Sequence, residues 1–197
     1  ELSQPVEYKL FESGDGKEGS PYVIKTLEQF SNIALRDDPN TVVYFQLGSS
    51  LELPLSEVDQ LLEGFYGHLD GNGQTLTIKV AKHTYQQAQS VGSVLLGSST
   101  TSISFGHAQS LIGTLYSSAT ISNLSLQLEQ SIDCEDYAPT VLSGLALFNY
   151  GRVENVQVTS ISSTYSSSLS TIALAGIVGF NYGTIVDCQN NAPSQHT

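Results

Sequence analysis

Leu142-Ser-Gly-Leu-Ala-Leu-Phe-Asn-Tyr-Gly-Arg-Val-Glu-Asn-Val-Gln157 can be laid without a gap on Leu174-Ala-Gly-Ile-Val-Gly-Phe-Asn-Tyr-Gly-Thr-Ile-Val-Asp-Cys-Gln189, at an offset of 32 residues. Another 32 residues back from Val153 lies Ile121, and Ile121-Ser-Asn-Leu124 repeats the pattern of Val153-Glu-Asn-Val156, with Ser110-Leu-Ile-Gly113 ahead of it. Three copies are therefore visible, the first with a turn two residues longer. Each copy holds an apolar stretch, a turn rich in Gly, Asn or Ser, and a second short apolar stretch. A unit this small cannot bury its own hydrophobic face, so neighbouring units must stack and pair their strands. Stacking converts the period into columns: Ile121, Val153 and Ile185 form one aliphatic column, and Leu124, Val156 and Cys188 another. Asn123, Asn155 and Asp187 share a third position, where stacked polar side chains bonding to turn backbone are expected. The other structural repeat positions are Gly113, Gly144, Asn149, Gly151, Gly176, Gly179, Asn181 and Gly183. The pattern predicts an all-β chain wound as a parallel β-helix, with Cys188 acting as a buried small hydrophobe.

Upstream of the repeats, Val42-Val-Tyr-Phe-Gln-Leu47 has the β-branched and aromatic density of a strand. Before it lies the clearest helix. Thr26 can cap it, Gln29 completes a Thr-x-x-Gln box, and Leu27, Phe30, Ile33 and Ala34 fall on one face, with an end expected near Arg36-Asp-Asp-Pro39. Such a helix covers one end of the stack, where an open edge would otherwise expose unpaired backbone and core. In Asp70-Gly-Asn-Gly73 a tight bend with positive φ is expected. One domain results, with residues 1–41 as N-terminal loop and capping helix and 42–197 as coils. The short polar stretch Asn190 to Thr197 suggests a piece of a longer chain.

Composition narrows the partners. Nineteen acidic residues against seven basic ones give a net charge of −12, a balance that repels phosphate backbones and anionic headgroups. Nucleic acid is thus excluded as a partner, and no apolar run approaches the roughly 20 residues of a membrane span. Charged residues are only 13% of the chain, while there are twenty-eight serines and ten tyrosines, so hydroxyl groups carry much of the solvation. That balance suits an extracellular protein.

Ser110-Leu-Ile-Gly113, Gly144-Leu-Ala-Leu147 and Gly176-Ile-Val-Gly179 resemble the Gly-Leu-hydrophobic-Gly motif of GLUG-repeat proteins. The third copy, running on through Asn181-Tyr-Gly-Thr-Ile-Val-Asp-Cys188, is the nearest to it. Gly14-Asp-Gly-Lys-Glu-Gly-Ser-Pro-Tyr-Val-Ile24 and Phe65-Tyr-Gly-His-Leu-Asp-Gly-Asn-Gly73 resemble segments that precede such repeats, so the likeness covers most of the chain. It implies a right-handed β-helix in a secreted or surface-anchored bacterial protein, often one module of an adhesin-like or host-interacting chain, and no single catalytic activity. The first copy lacks the leading Gly, the second has Leu147 where the final Gly would fall, and residues 81–104 match nothing in the pattern.

Each group able to do chemistry also has a plainer role. Asp70 with Asn72, and Asp15 with Glu18, offer oxygen ligands but not the six to eight that calcium usually takes. Asp37-Asp38 could be an acid pair, yet they follow a helix and precede Pro39, where solvated carboxylates are common. Pectate-lyase-like and polygalacturonase-like enzymes carry acidic sets with basic partners, whereas Arg36 and Arg152 are the only arginines here. His68, His83, His107 and His196 are scattered, without zinc spacing, and no Gly-x-Ser-x-Gly elbow or phosphate loop occurs. Cys134 and Cys188 permit one disulfide in an oxidising compartment without requiring it, and two free thiols are the favoured reading. No catalytic residue, cofactor site or metal site is assigned.

Binding is expected from two loops, residues 81–109 and the hydroxyl-rich Thr159–Ser168. The expected role is a non-enzymatic surface or secreted adhesin-like or structural module that presents loops to a glycan, a host protein or another cell-surface protein. The alternative is a polysaccharide-active lyase or glycosidase of β-helix type. Ice binding ranks last, because regular Thr-x-Thr ladders are missing.

Overall fold

A computed structural model describes residues 9–55, 60–84, 92–95, 102–105, 107–133, 140–166 and 172–191. Parallel pairing between repeats organises them. Each of the three copies contributes one strand to each of three parallel sheets, in the same order. The first copy supplies His107–Gln109, Ile112–Leu115 and Thr120–Asp133, the second Thr140–Ser143, Ala146–Asn149 and Arg152–Ser166, and the third Ile172–Ala175, Val178–Asn181 and Thr184–Val186. Upstream, Leu62–Phe65 joins the middle of these sheets, and Tyr22–Ile24, Tyr44–Leu47 and His68–Asp70 extend the last one.

The register places like over like. Tyr22, Phe45, Leu69, Ile121, Val153 and Ile185 pair one above another across six strands. Beside them Leu51, Leu76, Leu126 and Val158 pair in turn. Phe45, Leu69, Ile121, Val153, Leu76, Leu126 and Val158 are all buried in one apolar cluster. Because side chains alternate along a strand, Tyr44 and Gln46 flank buried Phe45 on the outer face. Close stacking also dictates where side chains are impossible: a Cβ on Gly183 would collide with the Gly151 carbonyl, and one on Gly144 with that of Gly176.

Near the start of the two long strands, and just past the short strands His68–Asp70 and Thr184–Val186, the chain bends. Asn123, Asn155 and Asp187 have φ of 55°, 51° and 52°, and Asn72 has 51°. These are left-handed values that Asn and Asp tolerate better than other non-glycine residues. The bend resets the alternation, so that Ile121 and Leu124, three apart, both point inward. A second irregularity lies at Thr159, which is skipped between the pairs Leu126↔Val158 and Gln127↔Ser160. Its hydroxyl donates to the Leu126 carbonyl at 3.2 Å.

The right-handed parallel β-helix is corrected here. Among the described residues the strands fall into four separate sheets, of nine, four, three and two strands, with no closed sheet and no solenoid. The smallest is antiparallel, pairing Gly92–Leu95 with Ser102–Phe105. The repeat dictates which strands become neighbours, but closure of one sheet onto the next is not set by a pairing period. The hydroxyl-rich loop expected at Thr159–Ser168 is corrected as far as it is described: Thr159–Ser166 is the second half of the strand Arg152–Ser166, with Ser160–Ser166 paired to Gln127–Asp133, and Ser167 and Ser168 lie outside the described residues.

The one α-helix among the described residues, Leu27–Ser31, is shorter than its pattern suggests and passes into a 3₁₀ turn, Asn32–Leu35. Thr26 Oγ1 accepts from the Gln29 N–H at 3.2 Å, and Gln29 Oε1 accepts from the Lys25 N–H at 2.7 Å. The box therefore closes one residue before the cap. Phe30 and Ile33 are fully buried in the main cluster, whereas Leu27 and Ala34 are exposed. The opposite end is more open: Ile177, Val178 and Cys188 are only partly buried, and Ile185 is 38% exposed.

This difference within one column can be measured. Ile121→Ala, at a fully buried site between two paired strands, is expected to cost about 2–5 kcal/mol in urea unfolding. Ile185→Ala, in the terminal strand, should cost under about 1 kcal/mol. Equal losses would mean that the last repeat is as enclosed as the middle ones.

Candidate functional site

The outer face of the nine-stranded sheet carries two parallel columns of side chains, polar or aromatic except at Val186. Tyr44, His68, Thr120, Arg152 and Thr184 pair in one, and Gln46, Asp70, Ser122, Glu154 and Val186 in the other. At the upstream end they bound a groove of about 280 Å³, which Glu18, Pro21 and Asn123 also line. The Tyr44 and His68 rings stack at 4.8 Å and 16°. Past them the column drops to Thr120 and Ser122, so a wall of rings gives way to a floor of hydroxyls. A smaller hollow of about 130 Å³, lined by Asn123, Ser125, Asn155 and Gln157 among others, shares Asn123 with the groove.

Asp70 holds this region together. Its Oδ1 accepts from the Asn72 N–H at 2.9 Å and from Asn123 Nδ2 at 3.0 Å, and Oδ2 accepts from Gln46 Nε2 at 3.4 Å. Asn155 Nδ2 in turn donates to Asn123 Oδ1 at 2.9 Å, so an amide relay runs from repeat to repeat. These side chains bond chiefly to one another across the stack, rather than to turn backbone as the sequence suggested. One repeat further on, Arg152 Nε donates to Glu154 Oε2 at 2.8 Å, and the guanidinium holds the Glu154 carboxyl below its usual range.

A second polar ladder lies between the sheets. Asn149 is fully buried, its Oδ1 accepts from the Gly151 N–H at 3.1 Å, and its Nδ2 donates to Asn181 Oδ1 at 2.7 Å. Leu115 is paired with Asn149 in the copy before, so the ladder begins only with the second repeat.

The remaining candidates have structural employment. Asp15 accepts from Lys17 Nζ at 2.7 Å, which holds its carboxyl below the ordinary range. Asp38 accepts from the Asn40 N–H at 2.8 Å in a turn, apart from the half-buried Asp37, whose Oδ2 takes the Tyr66 N–H at 2.7 Å. Cys188 is a free thiol, partly buried, with Sγ 3.4 Å from the Val156 nitrogen. His83 and His107 have only their backbone described, and Cys134 and His196 lie outside the described residues, as does much of 81–109. Among the described residues no group of three or more His, Cys, Asp or Glu side chains gathers to hold a metal ion. No helix there is long and apolar enough to cross a membrane. The groove had no motif to announce it: its members come from four separate segments, 18–21, 44–46, 68–70 and 120–123, and only the stacking register brings them together.

Compared with protein-family models, curated proteins and solved structures, the chain finds no match in any of the three.

Asp37 gives a pH test. Burial raises its carboxyl above 3.8, against the opposing Tyr66 N–H. A raised value in the folded state means that the folded protein holds this proton more tightly, so its contribution is complete below the unfolded value and fades as pH rises through the folded one. The stability of the wild type relative to Asp37→Asn should therefore fall from about pH 4 upward and then level off. Denaturant midpoints at half-unit steps measure it, and a difference that does not change with pH would remove the assignment.

Proposed function

We propose that this chain is a non-enzymatic surface or secreted binding module, which recognises a glycan or a protein with the outer face of its nine-stranded sheet. The observation that carries the reading is the groove: stacked Tyr44 and His68 rings beside Thr120, Ser122 and Asn123, on strands held in register from both sides. Aromatic rings next to adaptable hydroxyls and amides are a recognition surface of low entropic cost, because the sheet has already ordered them. The likeness of Gly176-Ile-Val-Gly179 and its two companions to GLUG repeats supports the extracellular placement, as does the acidic, hydroxyl-rich composition.

A polysaccharide-active enzyme has less behind it. Glu18 and Asp70 both line the groove, but three donors occupy Asp70. A carboxylate so engaged is a strut of the turn, not a poised acid or nucleophile.

The test is a glycan array together with a panel of immobilised extracellular-matrix proteins. At least one ligand should be retained, and the double variant Tyr44→Ala, His68→Ala should weaken its binding about tenfold or more with little change in secondary structure. Silence across both panels would refute the reading, and full affinity in the double variant would move the site elsewhere.

A further inference from the structure

The N-terminal end of the stack carries a hollow that shares no residue with the groove. It measures about 480 Å³, and Lys9, Leu10, Phe11, Glu12, Tyr22 and Arg36 are in its lining. Backbone and packing fix its walls. Glu12 N–H donates to the Val23 carbonyl and Val23 N–H to that of Ser13, both at 2.9 Å, so the segment that follows Lys9 is tied to the strand Tyr22–Ile24. Asn32 Nδ2 donates to the Leu10 carbonyl at 3.0 Å, which ties the same segment to the 3₁₀ turn that ends just before Arg36. Phe11 is buried and stacks on Tyr22 at 4.5 Å and 22°.

Charge marks this hollow out. Acidic residues outnumber basic ones nineteen to seven, so most cations of the chain find a carboxylate. Lys17 pairs with Asp15 at 2.7 Å, Lys25 with Glu12 at 3.3 Å, Lys79 with Glu52 at 2.9 Å, and Arg152 with Glu154 at 2.8 Å. The other two basic side chains that are described are Lys9 and Arg36. Neither makes an ion pair or a side-chain hydrogen bond among the described residues, and both line this one hollow. Glu12, the single carboxylate in the lining, is the one that Lys25 engages.

We propose that the hollow binds a small ligand that bears a single carboxylate on a partly apolar body. Two unspent cations select an anion, and the guanidinium of Arg36 offers the parallel N–H pair that matches a carboxylate. The net charge of −12 acts against each further negative charge on a ligand, which favours a monoanion over a phosphate dianion or a polyanion. The volume calls for more than a bare ion, since about 480 Å³ falls in the range of sites for small organic molecules. Leu10, Phe11 and Tyr22 give the body of such a ligand apolar surface to lie against.

The full chain is titrated by calorimetry with phenylacetate and glucuronate, with their neutral counterparts phenylacetamide and glucose, and with inorganic phosphate. At least one carboxylate should bind about tenfold or more tightly than its neutral counterpart and than phosphate, and should weaken as salt is raised. Lys9→Gln and Arg36→Gln should each lower its affinity about fivefold, with Arg36→Lys, which keeps the charge but not the fork, falling between Arg36→Gln and the wild type. Lys17→Gln and the groove variant Tyr44→Ala, His68→Ala should leave it unchanged. Equal binding of the neutral counterpart, a preference for phosphate, full affinity in both charge variants, or no binding by either carboxylate up to about 10 mM overturns the site. So does a gain of about tenfold or more from Glu7→Gln, because a carboxylate of the chain itself would then be the occupant. All of these results leave the reading of the groove where it stands.

Discussion

The core and the outer face of the large sheet depend on backbone pairing between consecutive repeats in a parallel register. Once Thr120–Asp133 lies against Arg152–Ser166 with Ile121 opposite Val153, a residue's neighbour across the stack is the residue with the same job in the next repeat. Inward positions then pool into one large apolar cluster, beside a small one around Ala108, Val141 and Leu147. Turn positions must be small, because successive turns approach within backbone contact, as at Gly151 and Gly183. The register also accounts for the polar ladders. An amide has a donor and an acceptor, so identical amides in neighbouring repeats satisfy one another, as Asn149 does with Asn181 and Asn155 with Asn123.

The same register makes the surface. Outward side chains are held at the spacing of the strands, so their arrangement is decided before any ligand arrives, and little ordering entropy is left for binding to supply. Where two large residues meet they stack, as Tyr44 does on His68, and where small ones follow, a hollow opens beside the rings. Where one repeat has a longer turn, Tyr116-Ser-Ser-Ala-Thr120, it reaches back to the unit before it, with Ser118 Oγ donating to the Tyr66 carbonyl. The groove arises at a departure from perfect repetition, since an unbroken ladder presents ring edges and no recess.

The two ends of the stack differ for a related reason. At the N-terminal end Phe30 and Ile33 close over the core, and Asp37 ties the end of the 3₁₀ turn to Tyr66 through its carboxylate. At the other end Ile185 keeps a pairing neighbour on one side only among the described residues, and its side chain is correspondingly exposed. Burial of a column position thus depends on how many repeats flank it, although the residue type is the same.

What the amino-acid sequence determined by itself is which residues pair. The offset of 32 residues, the glycines of the turns, the Thr26 cap and the bend at Asn72 could all be read from it, because each rests on a local rule or on self-similarity. Only the tertiary structure decided that the strands form separate open sheets, that Thr159–Ser166 extends a strand, and that Asp70, His68 and Thr120 bound one groove. A period says which residues are equivalent but not how far the chain turns between them. That angle is set by left-handed bends such as the one at Asn123, by the extra residue at Thr159 and by packing against neighbours far away in sequence.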